Sequence, residues 1–338
     1  MWEVYLWSEP ESITYFSCFY KQLTTFIRET DEILEFAMNE SLQGKVALVT
    51  GASRGAGRGI ALELALAGCK VYITGRSRRG QSVTQYSDLT LDDTKEMIEA
   101  AGGKCEILKC DHSQESQIRD VFEAIAKKEG TLDILVNNVW AGYTDRNFQL
   151  DIETDNFTAK FWDQPLYRWD HMFQISLRSH FICSQEAAKL MIPSKSGLIV
   201  TTGFWDDDKY IHLVPYDVVK HAKARIAYAM AIDLFDYDIA SVYVSMGWIR
   251  TEHLMRTSKD GKLNDENYVD LEGYEKTEST RYVGRAIVAL ASDPDVMKKT
   301  GKTMTTSELA REYGFTDLDG SQPERFVIPD ESKGLAQR

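Results

Sequence analysis

Tyr216 and Lys220 stand four positions apart and could perform acid–base chemistry together. Within a helix, residues at this spacing share one face and their side chains can meet. A tyrosine with its ordinary pKa near ~10 is poorly suited to proton transfer at neutral pH, but a nearby ammonium favours the phenolate. We therefore interpret Tyr216 as a general acid–base that acts on a substrate oxygen, with Lys220 tuning it.

A glycine-rich turn lies earlier in the chain. It follows an apolar run that predicts a buried strand, and it opens a predicted helix, which is the context of a dinucleotide-binding turn. Glycines let the backbone approach a pyrophosphate, and the first N–H groups of a helix attract its charge. The predicted cofactor-binding residues of this turn are Gly51, Ser53, Arg54, Gly55, Ala56 and Gly57.

The end of the second predicted strand indicates which nucleotide binds. Proteins specific for NAD place an Asp or Glu there to bind the ribose hydroxyls. This chain has Arg76 and no acid, and Arg76 together with Arg54 could meet a 2′-phosphate. We therefore expect NADP(H) rather than NAD(H), and we expect Arg78 and Arg79 to be solvated loop charges.

Strands and helices alternate along most of the chain. The predicted strands cover residues 45–50, 70–74, 104–109, 132–136, 197–202, 239–245 and 302–305. The predicted helices cover residues 57–67, 91–101, 114–128, 166–191, 216–235, 280–291 and 307–313, the last capped by Thr306 or Ser307. This alternation is typical of βαβ units and predicts a doubly wound parallel sheet that binds ligands beyond the carboxyl ends of its strands.

In order and spacing, these motifs resemble the short-chain dehydrogenase/reductase family. The matching parts are residues 50–57, Asp111, residues 137–142, residues 216–220, and Gly247 with Thr251. The resemblance covers about residues 42–305 and implies an α/β, Rossmann-like fold with a seven-stranded parallel sheet and helices on both faces. It also implies an oxidoreductase that interconverts a carbonyl and an alcohol by hydride transfer, as a homodimer or homotetramer.

The resemblance also implies roles for single residues. Asp111 would contact the adenine, Asn137 would support the strand end beside the cofactor, and Thr251 would bind the nicotinamide amide. The implied cofactor-binding set further includes Val139, Tyr216, Lys220, Gly247 and Ile249.

Three positions depart from the family pattern, and one of them is Met246, where the family has a Pro before Gly247. The family's Ser, about a dozen residues before the Tyr, is absent, and Thr202 is the residue that could supply a hydroxyl at that strand end. The family's Asn in the long helix is replaced by Ser176, which could hold the same water or leave the proton relay altered. These departures keep open an alternative, a catalytically weak nucleotide-binding sensor or partner module, although the intact Tyr216 and Lys220 favour the enzyme.

The surroundings of the expected substrate pocket are aromatic and acidic. The aromatic residues that could wall it are Trp140, Tyr143, Trp205 and Trp248. Asp206, Asp207 and Asp208 lie in the nearest loop and are either a solvated acidic turn or a determinant of substrate choice. No His or Cys accompanies them, so no metal site is predicted.

Composition excludes two classes of partner. The net charge of −13 argues against nucleic acid and against an anionic membrane surface as partners. The expected partner is the small-molecule carbonyl or alcohol that the family resemblance implies. The five cysteines are scattered, as reduced thiols are, and neither a signal peptide nor a membrane span is recognisable. We therefore expect a cytoplasmic protein.

The sequence divides into three parts. Residues 1–42 are rich in aromatic and acidic side chains and are expected to form a helical N-terminal extension outside the family resemblance. Residues 43–305 would form the catalytic domain, and residues 306–338 a C-terminal tail.

Overall fold

The computed structural model describes residues 41–81, 89–142, 159–205, 209–210, 213–252 and 277–328. The expected N-terminal helices, Tyr143 and the run Asp206–Asp208 lie outside the described residues. None of the helices within the described ranges is long and apolar enough to cross a membrane.

A seven-stranded parallel sheet forms the centre of the described chain, in the order β3-β2-β1-β4-β5-β6-β9. The strands are β1 (Val46–Val49), β2 (Lys70–Gly75), β3 (Lys104–Lys109), β4 (Ile134–Asn137), β5 (Gly197–Gly203), β6 (Ile239–Ser245), β7 (Trp248–Ile249), β8 (Thr277–Glu278) and β9 (Thr303–Thr305). The first strand, β1, lies near the centre of the sheet. The chain then forms β2 and β3 toward one edge and returns to form β4, β5, β6 and β9 on the other side. This order confirms the doubly wound, seven-stranded sheet, whereas the small separate sheet of β7 and β8 was not foreseen.

Eight α-helices flank the sheet or follow its last strand in the described ranges. They are α1 (Gly55–Leu66), α2 (Leu91–Ala100), α3 (Glu115–Glu129), α4 (Leu166–Phe173), α5 (Ser179–Met191), α6 (Val214–Leu234), α7 (Tyr282–Ser292) and α8 (Thr306–Tyr313). The single helix predicted over residues 166–191 is divided into α4 and α5 by a π-helical turn, Gln174–Arg178. Every residue of β1, β4 and β6 is buried, because helices cover both faces of the sheet.

The cap predicted for α8 was wrong by one or two residues. Thr305 is the cap: its hydroxyl accepts a hydrogen bond from the Glu308 backbone N–H, and the Glu308 carboxylate accepts one from the Thr305 N–H. This reciprocal capping box satisfies two backbone donors at once, and it selects Thr305 over Thr306 and Ser307 because only Thr305 has the acid three residues later.

The hydrophobic core lies between the sheet and its helices. Leu48, Leu135 and Ile199 of three neighbouring strands pack against buried side chains of α3 and α5, among them Ile125 and Cys183. Strand residues that are buried on both faces explain the nearly continuous apolar runs in the sequence. Packing of these runs aligns the carboxyl ends of β1, β4, β5 and β6, where the candidate site lies.

Candidate active site

The glycine-rich turn after β1 is built on very close backbone contacts. Gly51 has a φ of 69°, and a Cβ atom there would lie 2.7 Å from the Cα of Val139. A Cβ on Gly57 would overlap the carbonyl oxygen of Gly51. The turn therefore requires glycine at both positions, and it brings the start of α1 directly beside the end of β4.

Hydrogen bonds hold the ends of β1 and β4 together. The Thr50 hydroxyl accepts from the backbone N–H of Asn138 at 2.9 Å and of Val139 at 3.2 Å. The Asn138 side-chain amide donates to the carbonyls of Thr50 and Gly51 at 3.0 and 3.2 Å. Asn137 is fully buried and its amide donates to the hydroxyl of Ser184 at 2.9 Å. Val139 thus lies directly against Gly51 of the glycine-rich turn, whereas the Asn137 side chain holds the end of β4 to α5.

An anionic side chain lies at the first amide of α1. The backbone N–H of Gly55 donates to the Glu252 carboxylate at 2.8 Å, and the same carboxylate lies 3.4 Å from the Arg58 guanidinium. Thr251 is adjacent, because its Cγ2 lies 3.5 Å from where a Cβ on Gly55 would be. The predicted residues Gly55 and Thr251 are therefore brought together, whereas Glu252 had no signal in the sequence beyond following Thr251.

The other predicted residues of the turn surround this point. Arg54 is the residue immediately before α1, in extended backbone, and Ala56 lies in the first turn of the helix. The carbonyl of Ser53 accepts a hydrogen bond from the Arg58 guanidinium at 2.7 Å.

The end of β2 places Arg76 beside Asp111. Arg76 is half-buried, and burial lowers the pKa of its guanidinium, while the nearby Asp111 carboxylate opposes that shift. Asp111 itself accepts from the backbone N–H of Ser113 at 2.9 Å. These two predicted residues therefore lie together at the edge of the sheet where the sequence places the nucleoside end of the cofactor.

Arg78 and Arg79 are not merely solvated. Arg78 donates two hydrogen bonds to Asp92, at 2.9 and 2.8 Å. Arg79 binds Asp93 at 2.8 Å and Glu96 at 2.7 Å. The expectation of solvated loop charges is corrected in this respect, because the acidic first turn of α2 attracts both cations.

Tyr216 and Lys220 occupy the first two turns of α6. The Lys220 ammonium nitrogen lies 4.9 Å from the centroid of the Tyr216 ring and 3.9 Å from that of Trp140. The Trp140 and Tyr216 rings pack edge to face, with centroids 5.3 Å apart. Lys220 is only 7% exposed, and burial lowers its pKa to about 7. The predicted pair is thus brought together, with Trp140 as a third member that sequence reasoning had assigned only to a pocket wall.

Thr202 and Ser176 are both deeply buried. The Thr202 hydroxyl, on a residue 1% exposed, donates weakly to the Asn137 carbonyl at 3.4 Å and to the Asn138 side-chain oxygen at 3.3 Å. Ser176 lies in the π-helical turn, and its hydroxyl accepts from the backbone N–H of Ala141 at 3.2 Å. Both hydroxyls therefore support the segment that follows β4, and their direct roles in chemistry stay predictions.

The chain after β6 forms one wall of a cleft. The Gly247 N–H donates to the buried Glu278 carboxyl at 3.0 Å, and Ile249 pairs with Glu278 between β7 and β8. Phe326 of the C-terminal tail lies 5.9 Å from Phe204 and 5.8 Å from Trp248, measured between ring centroids. Phe204, Trp205, Gly247, Glu278 and Phe326 line a small cleft here.

Comparisons with known proteins agree with this geometry. Residues 45–262 match the family model described as short chain dehydrogenase. The human protein named dehydrogenase/reductase SDR family member 1 is 37% identical over 293 residues, which cover 86% of this chain and 88% of that protein.

Solved structures have the same fold. A short-chain type dehydrogenase/reductase from Mycobacterium marinum superposes with a TM-score of 0.61 at 24% identity, covering 81% of this chain and 96% of that one. A variant of actinorhodin polyketide ketoreductase, crystallised with NADPH, gives a TM-score of 0.62 at 22% identity, covering 77% of this chain and 95% of that one. With the family model matching well over half of its residues, the chain belongs to the short-chain dehydrogenase/reductase family of oxidoreductases.

Proposed function

We propose that this protein interconverts a small-molecule carbonyl and the corresponding alcohol, with NADP(H) as the hydride carrier and Tyr216 as the general acid–base. One observation carries the proposal: the buried Lys220 ammonium lies 4.9 Å from the Tyr216 ring, in the helix that follows the end of β5. A cation held against a phenol in a site with little water is suited to tune that phenol for proton transfer.

The residues around the glycine-rich turn fit a dinucleotide. Gly51 and Gly57 leave no room for a Cβ, and the Gly55 N–H already binds a carboxylate, as expected of an anion-binding helix start. In this proposal the first turn of α1 holds the pyrophosphate and Asp111 contacts the adenine. Thr251 binds the amide of the nicotinamide ring, whose role is to give or take the hydride.

NADP(H) is favoured over NAD(H) by the end of β2. Arg76 stands where an acid would bind the ribose hydroxyls, and its guanidinium would pair with a 2′-phosphate. The ketoreductase crystallised with NADPH has the same fold, which makes this cofactor compatible with the architecture.

The chain's own groups account for the proton. In the direction of reduction, Tyr216 donates its hydroxyl proton to the carbonyl oxygen as that oxygen gains charge; in oxidation, its phenolate takes the alcohol proton. Lys220, with a pKa of about 7, carries charge on part of the molecules at neutral pH and stabilises the phenolate when charged. It would also hold the ribose hydroxyls and so align the cofactor with Tyr216.

The substrate-oxygen contact and the oligomer complete the proposal. We propose that Thr202 turns its hydroxyl from Asn138 toward the substrate oxygen and that Ser176 orders the loop after β4. The aromatic side chains of Phe204 and Phe326 would contact the apolar part of the substrate, and the protein would act as a homodimer or homotetramer.

A second candidate function follows from the burial of Thr202. Its hydroxyl is already shared between Asn137 and Asn138. If it does not reach substrate, the protein would bind nucleotide with little turnover and serve as a sensor or partner module.

The test follows oxidation of NADPH and of NADH separately, against a panel of aldehydes, ketones and quinones. Wild type, Tyr216→Phe and the control Tyr228→Phe are compared; Tyr228 lies on the same helix and is 42% exposed. We expect NADPH-dependent turnover in wild type and Tyr228→Phe, its loss in Tyr216→Phe, and unchanged NADPH binding in all three. Full turnover in Tyr216→Phe would refute the mechanism, and NADPH binding without turnover in any form would favour the sensor.

A further inference from the structure

A second lysine is buried beside the proposed catalytic pair. Lys223 lies three residues after Lys220 on α6 and is 1% exposed. Its ammonium nitrogen is 5.8 Å from the centroid of the Trp140 ring, the same ring that Lys220 approaches to 3.9 Å. The side-chain nitrogens of Lys220 and Lys223 therefore both lie near the Trp140 indole, in the interior of a protein whose net charge is −13.

Among the described residues, no carboxylate forms an ion pair with the side chain of Lys223. Burial holds the pKa of Lys223 well below its ordinary value, and the charge of Lys220 lowers it further. A buried cation without a counter-ion is strongly unfavourable, and such a group loses its proton instead. Burial therefore favours the neutral amine of Lys223 over its ammonium, and the amine has a lone pair as well as two N–H groups.

His180 lies within electrostatic range of Lys223. His180 of α5 is buried, and its Nε2 donates to the Val139 carbonyl at 3.0 Å, which leaves Nδ1 as an acceptor. Within the described ranges, neither this Nδ1 nor the side-chain oxygen of Asn137 has a hydrogen-bond partner. Burial lowers the pKa of His180 well below its ordinary value, and Lys223 adds to that shift.

These groups are linked by hydrogen bonds. Asn137 donates to the Ser184 hydroxyl, which in turn donates to the His180 carbonyl at 2.8 Å. The titratable groups that act on this interior are Lys220 from α6, His180 from α5 and His112, which follows β3. His112 is itself buried, and burial lowers its pKa to about 4. Burial disfavours the charged form of both histidines, so positive charge in this interior falls on the lysines, and on Lys220 before Lys223.

We propose that Lys223 is a positioning residue that shares one proton with Lys220 and so sets the charge of the lysine that tunes Tyr216; this inference rests on the proposed function. The exchange breaks one N–H bond on the Lys220 ammonium and forms one on the Lys223 amine, directly or through one bridging water, and no electrons are transferred. In this proposal the Nδ1 of His180, which is unpartnered within the described part of the chain, would accept a hydrogen bond from the Lys223 amine and so orient it toward Lys220. An acceptor beside Lys220 stabilises the ammonium, so Lys220 stays charged to a higher pH than burial alone would allow.

The primary test needs neither substrate nor cofactor. Protein labelled with ¹⁵N-lysine is titrated by NMR, in which the Nζ shift separates ammonium from amine, and Lys220→Met and Lys223→Met assign the two signals. We expect a Lys223 amine at neutral pH, and a Lys220 titration that moves to lower pH by about one unit or more in Lys223→Met, because a hydrogen bond to a charged group is lost. A Lys220 titration that stays in place or moves to higher pH would overturn the proposal.

Measurements of stability and of turnover distinguish the proton-sharing role of Lys223 from a purely structural role. Lys223→Met should raise the midpoint of urea unfolding, since it replaces an uncompensated buried amine with an apolar side chain of similar length. Lys189→Met, which removes an exposed lysine of α5, serves as the control and should change neither titration nor stability appreciably. Where turnover is established, Lys223→Met should move the alkaline limb of kcat/KM to lower pH and leave KM for NADPH unchanged. If the alkaline limb of kcat/KM does not move in Lys223→Met, the proposal is contradicted. If wild type shows no turnover, only the proposed function is contradicted, because the NMR titration still tests whether the two lysines share a proton.

Discussion

The carboxylate of Glu252 accepts a hydrogen bond of 2.8 Å from the backbone N–H of Gly55, the first residue of α1. The positive end of a helix attracts any anion, and here the protein's own side chain provides one. The pyrophosphate proposed for this turn carries the same sign of charge. Glu252 must therefore move or share the site when the nucleotide binds.

Replacement of Glu252 by Gln should tighten nucleotide binding. The amide keeps the size of the side chain but removes a negative charge that competes with the pyrophosphate, so the dissociation constant for NADP⁺ should fall by roughly three- to tenfold. Isothermal titration calorimetry measures this directly. Glu123→Gln, a change of equal charge on the exposed face of α3, should leave the affinity as it is. Weaker binding by the Glu252 variant would mean that the carboxylate supports the nucleotide rather than competing with it.

Arg76 should determine the preference for NADP(H). Arg76→Met removes the guanidinium expected to bind the 2′-phosphate, so the ratio of NADPH to NADH affinity should fall roughly tenfold or more. Fluorescence titration with each reduced cofactor gives the ratio. Arg79→Met is the matched control, because Arg79 binds Asp93 and Glu96 of α2. An unaltered ratio in Arg76→Met would remove the basis for the cofactor assignment.

Glu278 should make the protein less stable as pH rises. Burial raises its pKa from 4.5 to about 8, and Asp317 adds to the shift, whereas the hydrogen bond from Gly247 opposes it. Between these two values the native state holds a proton that the unfolded chain has released, so stability is lost as pH rises toward 8.

Glu278→Gln should remove this dependence, because the amide needs no proton to stay neutral. Urea unfolding at about pH 5.5 and about pH 8.5 should show wild type losing on the order of a few kcal/mol more than the variant. If the two proteins lose equal stability, the carboxyl of Glu278 is already ionised in the native state at the lower pH.

The fold followed closely from the sequence. Parallel strands buried on both faces must be apolar throughout, and a glycine-rich turn between a strand and a helix is typical of dinucleotide-binding folds, so a doubly wound parallel sheet could be predicted, although the order of its strands was not. The interruption at Gln174–Arg178 could not, because its residues are compatible with an ordinary helix and only contacts such as that of Ser176 with Ala141 distinguish the wider turn. The pairing of β7 with β8 was equally hidden, since each strand has two residues.

Site residues could be predicted from the sequence where the chemistry requires both a particular residue type and a fixed spacing. Tyr216 and Lys220 satisfy both conditions and are adjacent in the structure. Lys223 does not, because a lysine in a helix normally lies in solvent, and its burial depends on how α6 docks on the sheet. Glu252 was not predicted for a related reason: its carboxylate acquires a role only when the fold brings the start of α1 to it.

The π-helical turn has a consequence for how this site can change over time. Each residue of an α-helix advances the chain by about 100° around the axis, so a turn that contains one additional residue rotates everything after it. His180 and Ser184 of α5 face the sheet at their present angle because of that rotation. Loss of a single residue from Gln174–Arg178 would swing both side chains away from β4 together while leaving their identities untouched. The number of residues in this one turn therefore determines which side chains of α5 face the sheet. An insertion or deletion of one residue there would rotate all of α5 and change that set of side chains in one step.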